Sequence, residues 1–209
     1  VAITSPLERS PVKNYLLILT LATLLGACAS SPQRPPAHLT AEHYTSTASV
    51  IDKTSLNAIQ VNTEKGYEEP YDVPMNYKGL YLLASIDKKS GKTAIGVDFM
   101  QMTNKIREKV VVTYEAPEGT MRQTIYVKRG RAQCHDKDCR YLESISIPLK
   151  ESLVRYYAQR YSPNLETHWT FHIDNDYTGE IAYAEMAGLI ANVDRARKSL
   201  PGNVTNAQE

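Results

Sequence analysis

The sequence predicts an α+β domain, an antiparallel β-sheet of hairpins with two C-terminal helices on one face. Three observations predict it. Across residues 79–102 apolar side chains alternate on two arms, Leu80, Leu82, Ala84 and Ile86 on one and Ile95, Val97 and Phe99 on the other. The turn between them is Asp87-Lys88-Lys89-Ser90-Gly91. The pattern repeats in residues 108–114 and 120–128, which flank Ala116-Pro117-Glu118-Gly119. After Pro148 the period lengthens: Leu149, Leu153 and Tyr157 recur four apart, and Met186, Leu189, Ile190, Val193, Arg197 and Leu200 trace one stripe. Strands in meander order followed by two helices give an antiparallel sheet covered on one side.

The elements are taken in chain order. Arg9 and Lys13 stand against the single acid Glu8, and an uncharged apolar run then leads from Tyr15 to Cys28. As a helix rising about 1.5 Å per residue the run reaches roughly 20 Å, short of the ~30 Å hydrocarbon core. It reads as the apolar core of an export signal. Leu25-Gly26-Ala27-Cys28 resembles the lipobox of bacterial lipoproteins. The resemblance implies cleavage before Cys28, acylation of that cysteine with palmitate-type chains, and anchoring by two or more chains, where one alone is marginal. Ala29 rather than Asp follows, which in that class implies sorting to the outer membrane. Ordinary secretion with cleavage elsewhere is the alternative. The expected organisation is therefore a signal peptide over residues 1–27, a lipidated tether over 28–40 that contains Pro35-Pro36, and one domain over 41–209.

Once residues 1–27 are removed, 22 Lys and Arg face 22 Asp and Glu. That balance gives no long-range attraction to nucleic acid or to anionic lipid, and nucleic acid is not expected as a partner. Fourteen tyrosines against two phenylalanines and one tryptophan suit half-buried positions with one wet end. With Cys28 assigned to lipid, Cys134 and Cys139 remain as an even pair around His135-Asp136-Lys137-Asp138. In an oxidising compartment they read as a disulfide across a tight loop. A metal site using both thiolates and His135 is the alternative, and it lacks a fourth ligand nearby.

Residues 41–54 are polar and carry no clear period, whereas residues 57–63 alternate as a strand. Residues 66–74 hold two prolines, three acids and two tyrosines and read as a loop. Ser90-Gly91-Lys92-Thr93 echoes the end of a phosphate-binding loop, but Ile86 stands where the motif needs glycine and a strand follows where it needs a helix. Lys128-Arg129-Gly130-Arg131 reads as a basic cluster solvated at a turn, with contact to lipid headgroups or a polyanion as the alternative, and a strand covers residues 141–147. In residues 167–173, Trp169, Phe171 and Ile173 share one face while His168, Thr170 and His172 share the other. The two histidines lie about 13 Å apart, too far to share a metal unaided.

The cysteine pair followed by Tyr141 and Glu143, then Leu153, Trp169-Thr170-Phe171 and Ala184-Glu185-Met186-Ala187-Gly188-Leu189, resembles a group of uncharacterised secreted bacterial proteins. The resemblance implies a shared fold and carries no activity.

One segment has the spacing of a metal site. In residues 174–185, Asp174, Asp176 and Thr178 fall at positions 1, 3 and 5 of an EF-hand loop, and Gly179 falls at its turn. Glu180 offers a carbonyl and Glu185 a closing carboxylate. Calcium is the cofactor this reading implies; the alternative is a polar strand-to-helix turn. No nucleophile motif, zinc-protease motif or dinucleotide fingerprint is present. The expected function is therefore a non-enzymatic envelope lipoprotein that binds another envelope component through its sheet and its tyrosine-rich loop. A calcium-binding lipoprotein and a cell-wall hydrolase with dispersed acids (Glu68, Glu69, Asp72, Asp98) are the alternatives.

Overall fold

The strongly alternating segments all form strands. In the computed structural model, which describes residues 40–63, 78–135 and 138–200, α1 (Ala41–Thr47) precedes β1 (Ser49–Lys53) and β2 (Ala58–Asn62). Next come β3 (Lys78–Asp87), β4 (Thr93–Thr103), β5 (Lys109–Ala116), β6 (Gly119–Tyr126), β7 (Lys128–His135) and β8 (Asp138–Leu149). The chain continues through α2 (Glu151–Ala158), β9 (His168–Ile173), β10 (Tyr177–Ala182) and α3 (Tyr183–Lys198). The class is α+β, built of antiparallel hairpins with helices packed on them, as the sequence predicts.

Among the described residues there are two sheets rather than one. The larger runs in the order β1-β2-β3-β4-β8-β7 and the smaller β10-β9-β5-β6. In the larger sheet, Leu82 pairs with Val97 and Leu80 with Phe99, and on the other side of β4 Val97 pairs with Ile147 and Phe99 with Ile145. These residues share one face because side chains alternate with a period of two. The turn before β4 has the expected chemistry: Asp87 Oδ1 accepts from the backbone N–H groups of Lys89 (3.1 Å) and Ser90 (2.6 Å), and Gly91 takes the left-handed φ of 69°.

The smaller sheet supplies the opposing apolar face. Val110, Val112, Trp169, Phe171, Ile173 and Ile181 join Val97, Phe99, Ile145 and Ile147 in a single core. Phe99 of β4 stacks on Tyr177 of β10 with ring centroids 4.3 Å apart. Each such fully buried large side chain stabilises the fold by roughly 1.5–3 kcal/mol. Helix α3 adds Met186, Leu189, Ile190 and Val193 to the same core, and α2 adds Leu153 and Val154. Ion pairs join the two helices: Arg197 donates to both Glu151 oxygens at 2.7 Å, and Arg155 bridges Glu151 and Asp194. Helix α1, which falls in the stretch without a clear period, packs against α3 where Gly188 leaves room for Tyr44.

Three expectations are corrected. The basic cluster at residues 128–131 is the start of β7, not a turn. Pairing of Lys128 with Ser144 and Arg129 with Glu143, followed by a register shift before Ala132, draws it into an edge strand. Residues 174–185 form a tight turn, all of β10 and the start of α3. The four-residue period after Pro148 starts later than its first apolar residue, because Leu149 still pairs with Ile95 as the end of β8.

Candidate binding site around Arg107

The segment 104–108 carries the chain from β4 of the larger sheet to β5 of the smaller, and Arg107 turns inward from it. Its Nη2 donates to Glu143 Oε2 at 2.8 Å, and Gln101 Nε2 lies 3.4 Å from the same oxygen. The Glu143 side chain is wholly buried and that of Arg107 is 14% exposed. Glu143 faces inward because it pairs with Gln101 in the β4–β8 register, two residues before the buried Ile145. Glu143 Oε1 and Arg107 Nε are both buried without a hydrogen-bond partner. Each such group costs about 1–3 kcal/mol, so the pair holds only because both sheets fix it in place.

Arg107 Nη1 also lies 3.7 Å from carboxylate oxygens of Asp174 and Asp176. Lys105 donates to Asp176 at 2.7 Å. Hydrogen bonding and the charge of Lys105, with a smaller effect of Arg107, hold the Asp176 carboxyl below its usual range. Asp174 adopts a left-handed φ of 49°, accepts from the Val111 N–H at 2.8 Å and donates its own N–H to the Val111 carbonyl at 2.7 Å. The β9–β10 turn is thereby tied to β5, and three carboxylates from two elements converge on one guanidinium.

This geometry decides the placement of the residues assigned to calcium. Asp174 and Asp176 stand at the hairpin tip and are neutralised by Arg107 and Lys105. Thr178 and Glu180 lie along β10, opposite His172 and Thr170, and Thr178 shares a 3.0 Å hydrogen bond with His172. Glu185 is on α3, where its Oε1 accepts from Thr63 Oγ1 at 2.5 Å and from the Leu82 N–H at 3.2 Å. The six residues of β10, at about 3.3 Å each, separate Asp176 from Glu185 by roughly 20 Å. The five groups are not brought together, and among the described residues no group of three or more His, Cys, Asp or Glu is placed to hold a metal. Gly179, read as the loop's turn residue, is the cross-strand partner of Phe171.

Of the other candidates, Cys134 and Cys139 form a disulfide between directly opposed residues of β7 and β8. Asp98 accepts from Tyr81 Oη at 3.2 Å on the face of β4 opposite Val97 and Phe99. Cys28, the tether, Glu68, Glu69, Asp72 and the loop from residue 66 to residue 77 lie outside the described residues.

The surface at this end is distinctive. The crossing 104–108 runs beside the β6-to-β7 crossing: Val127 N–H donates to the Glu108 carbonyl at 2.9 Å, and Arg129 Nη2 lies 3.4 Å from the Arg107 carbonyl. Ile106 is 64% exposed and Tyr126 80%, and Tyr126 pairs with Lys109. Lys109, Lys128 and Arg129 are exposed. From the same end the β7–β8 hairpin projects, since β8 residues before Tyr141 pair with β7 and no longer with β4.

No protein-family model, curated protein or solved structure matches the chain. The site therefore rests on its own geometry. Sequence reasoning missed the Arg107–Glu143 pair, and the available signal was a glutamate at an inward position of a strand otherwise made of Ile145 and Ile147. Such a residue demands a cationic partner.

Proposed function

We propose that the chain is the precursor of a bacterial envelope lipoprotein, lipid-anchored through Cys28 on the outer membrane, whose domain acts by binding rather than by catalysis. The anchor rests on Leu25-Gly26-Ala27-Cys28 and the apolar run before it. The observation that carries the binding reading is the end built on Arg107. There a buried ionic centre ties the 104–108 crossing to β8 and to a hairpin turn, hydrogen bonds join the β6-to-β7 crossing to it, and apolar and cationic side chains stand on the corner so formed. Rigid presentation reduces the ordering cost that binding otherwise incurs.

The test has two arms. Growth with labelled palmitate should label the intact chain and leave Cys28→Ala unlabelled. A photo-crosslinking residue at position 106 or 126 should give adducts with an envelope component, lipid or protein, in whole cells, while one at Leu56, exposed elsewhere, gives none. Equal or absent adducts at all three positions would remove the binding reading.

A further inference from the structure

We propose that the corner bearing Ile106, Lys109, Tyr126, Lys128 and Arg129 is a membrane contact, which seats the folded domain on a lipid surface with anionic headgroups. This rests on the reading of the domain as an envelope binding module and names the partner of that corner.

Ile106 and Tyr126 are two of the large apolar side chains left exposed on the described surface, at 64% and 80%, and they stand on adjacent crossings joined by the Val127–Glu108 hydrogen bond. An exposed aliphatic tip next to a tyrosine is the composition that enters an interface, with the apolar end among acyl chains and the hydroxyl at headgroup level. Around them Lys109 and Lys128 are exposed and form no ion pair among the described residues, while Arg129 contacts a backbone carbonyl and the Tyr141 ring. Three acids that reach this end, Glu143, Asp174 and Asp176, are taken up by Arg107 and Lys105; the β7–β8 hairpin that projects from it carries a further acid, Asp138. Glu108 is the one exposed acid between Ile106 and Lys109.

Lys105 and Arg107, on either side of Ile106, are engaged by Asp176 and Glu143, whereas Lys109, the cross-strand partner of Tyr126, and Lys128 are left for an external anion. Juxtamembrane lysines and arginines act on a surface of acidic lipid within a Debye length. Both tips are largely exposed, which suits insertion into a deformable layer. The internal pairing of Arg107 serves the same end, because it stiffens the crossings from which both tips project.

The experiment uses the full chain with vesicles of phosphatidylcholine alone or mixed with phosphatidylglycerol, each containing brominated acyl chains that quench indole at short range. Ile106→Trp is compared with Leu165→Trp, equally exposed at 64%; the native Trp169 is buried and gives a common background. Quenching at position 106 and not at 165, present with phosphatidylglycerol and reduced about tenfold or more by Lys109→Glu with Lys128→Glu, is the expected result. Thermal melts of the charge-reversed chain check that it remains folded. No quenching at 106 in acidic vesicles, or equal quenching at 165, overturns the proposal, and a discrete protein adduct from position 106 in cells would then assign the corner to a protein partner. Palmitate labelling reads Cys28 separately, so failure of the anchor and failure of the corner are distinguished.

Discussion

The ring of Phe171 lies across Gly179, its cross-strand partner in the β9–β10 pair. A Cβ at position 179 would be driven into the ring. The glycine is required for close approach of the aromatic ring, since its φ is not in the left-handed region. Gly179→Ala is therefore expected to destabilise the domain by about 1–3 kcal/mol, as other overpacked cores are. Urea and thermal unfolding check this, with Thr178→Ser on the opposite face, which keeps the hydroxyl bonded to His172, as a control that should stay within about 0.5 kcal/mol.

Arg107 and Glu143 should behave as a coupled pair. Arg107→Met leaves a buried carboxylate uncompensated and should cost about 3–5 kcal/mol, whereas Arg107→Met combined with Glu143→Leu should recover much of that loss. A double-mutant cycle in urea reads the coupling, and additive losses would contradict it.

Calcium should leave the melting midpoint unchanged. A ligand that binds only the folded state raises the midpoint once it exceeds its dissociation constant, but Asp174 and Asp176 already engage Arg107 and Lys105, and Glu185 is committed to Thr63 and Leu82. Melts in EDTA and in millimolar calcium should coincide.

The α2–α3 contact should weaken in acid. Burial alone would raise the Glu151 carboxyl, but hydrogen bonds from Arg197 and Arg155 outweigh it and hold the group below its usual value. Hydrogen bonding by Arg155 lowers Asp194 in the same sense, against a smaller effect of burial. For acids depressed in the folded state the stabilisation is full above the unfolded value, near 4, and is lost as pH falls through the folded one. Glu151→Gln should therefore flatten the fall in stability below about pH 4, measured by urea midpoints across that window.

Reduction of Cys134–Cys139 should act locally. The bond closes a hairpin tip that projects past β4, and the chain-entropy model assigns so short a loop about 2 kcal/mol. Cys134→Ser with Cys139→Ser should speed amide exchange in residues 132–141 while exchange in Val97 and Ile147 stays slow.

The fold was legible where burial is one-sided. Trp169, Phe171 and Ile173 alternate because one face of β9 meets the core, and α3 shows a stripe because one side of it does. β7 was hidden because its first residues, Lys128-Arg129-Gly130-Arg131, show no apolar alternation: it is an edge strand that packs little. β10 was hidden because Asp174, Asp176, Thr178 and Gly179 match a calcium loop in spacing, while the feature that makes the segment a strand, the fit of Gly179 under Phe171, lies in the partner strand. The count of two sheets was not legible, since a hairpin pattern specifies local pairing and not which sheet receives it. Arg107 and Glu143 are 36 residues apart, and no local pattern joins them.

The smaller sheet is assembled from two distant stretches, for β5 must pair with β9 across the whole of β6, β7, β8 and α2. Until β9 and β10 have emerged, Val112 and Tyr114 have no neighbour on that edge and Phe99 has no Tyr177 to stack upon. A chain threaded across a membrane from its N-terminus would thus have nearly all of its length delivered before its core could close. The order of strands makes non-local closure the expected slow step of folding, and on the export proposed above a chain still unfolded at the membrane gains time from that order.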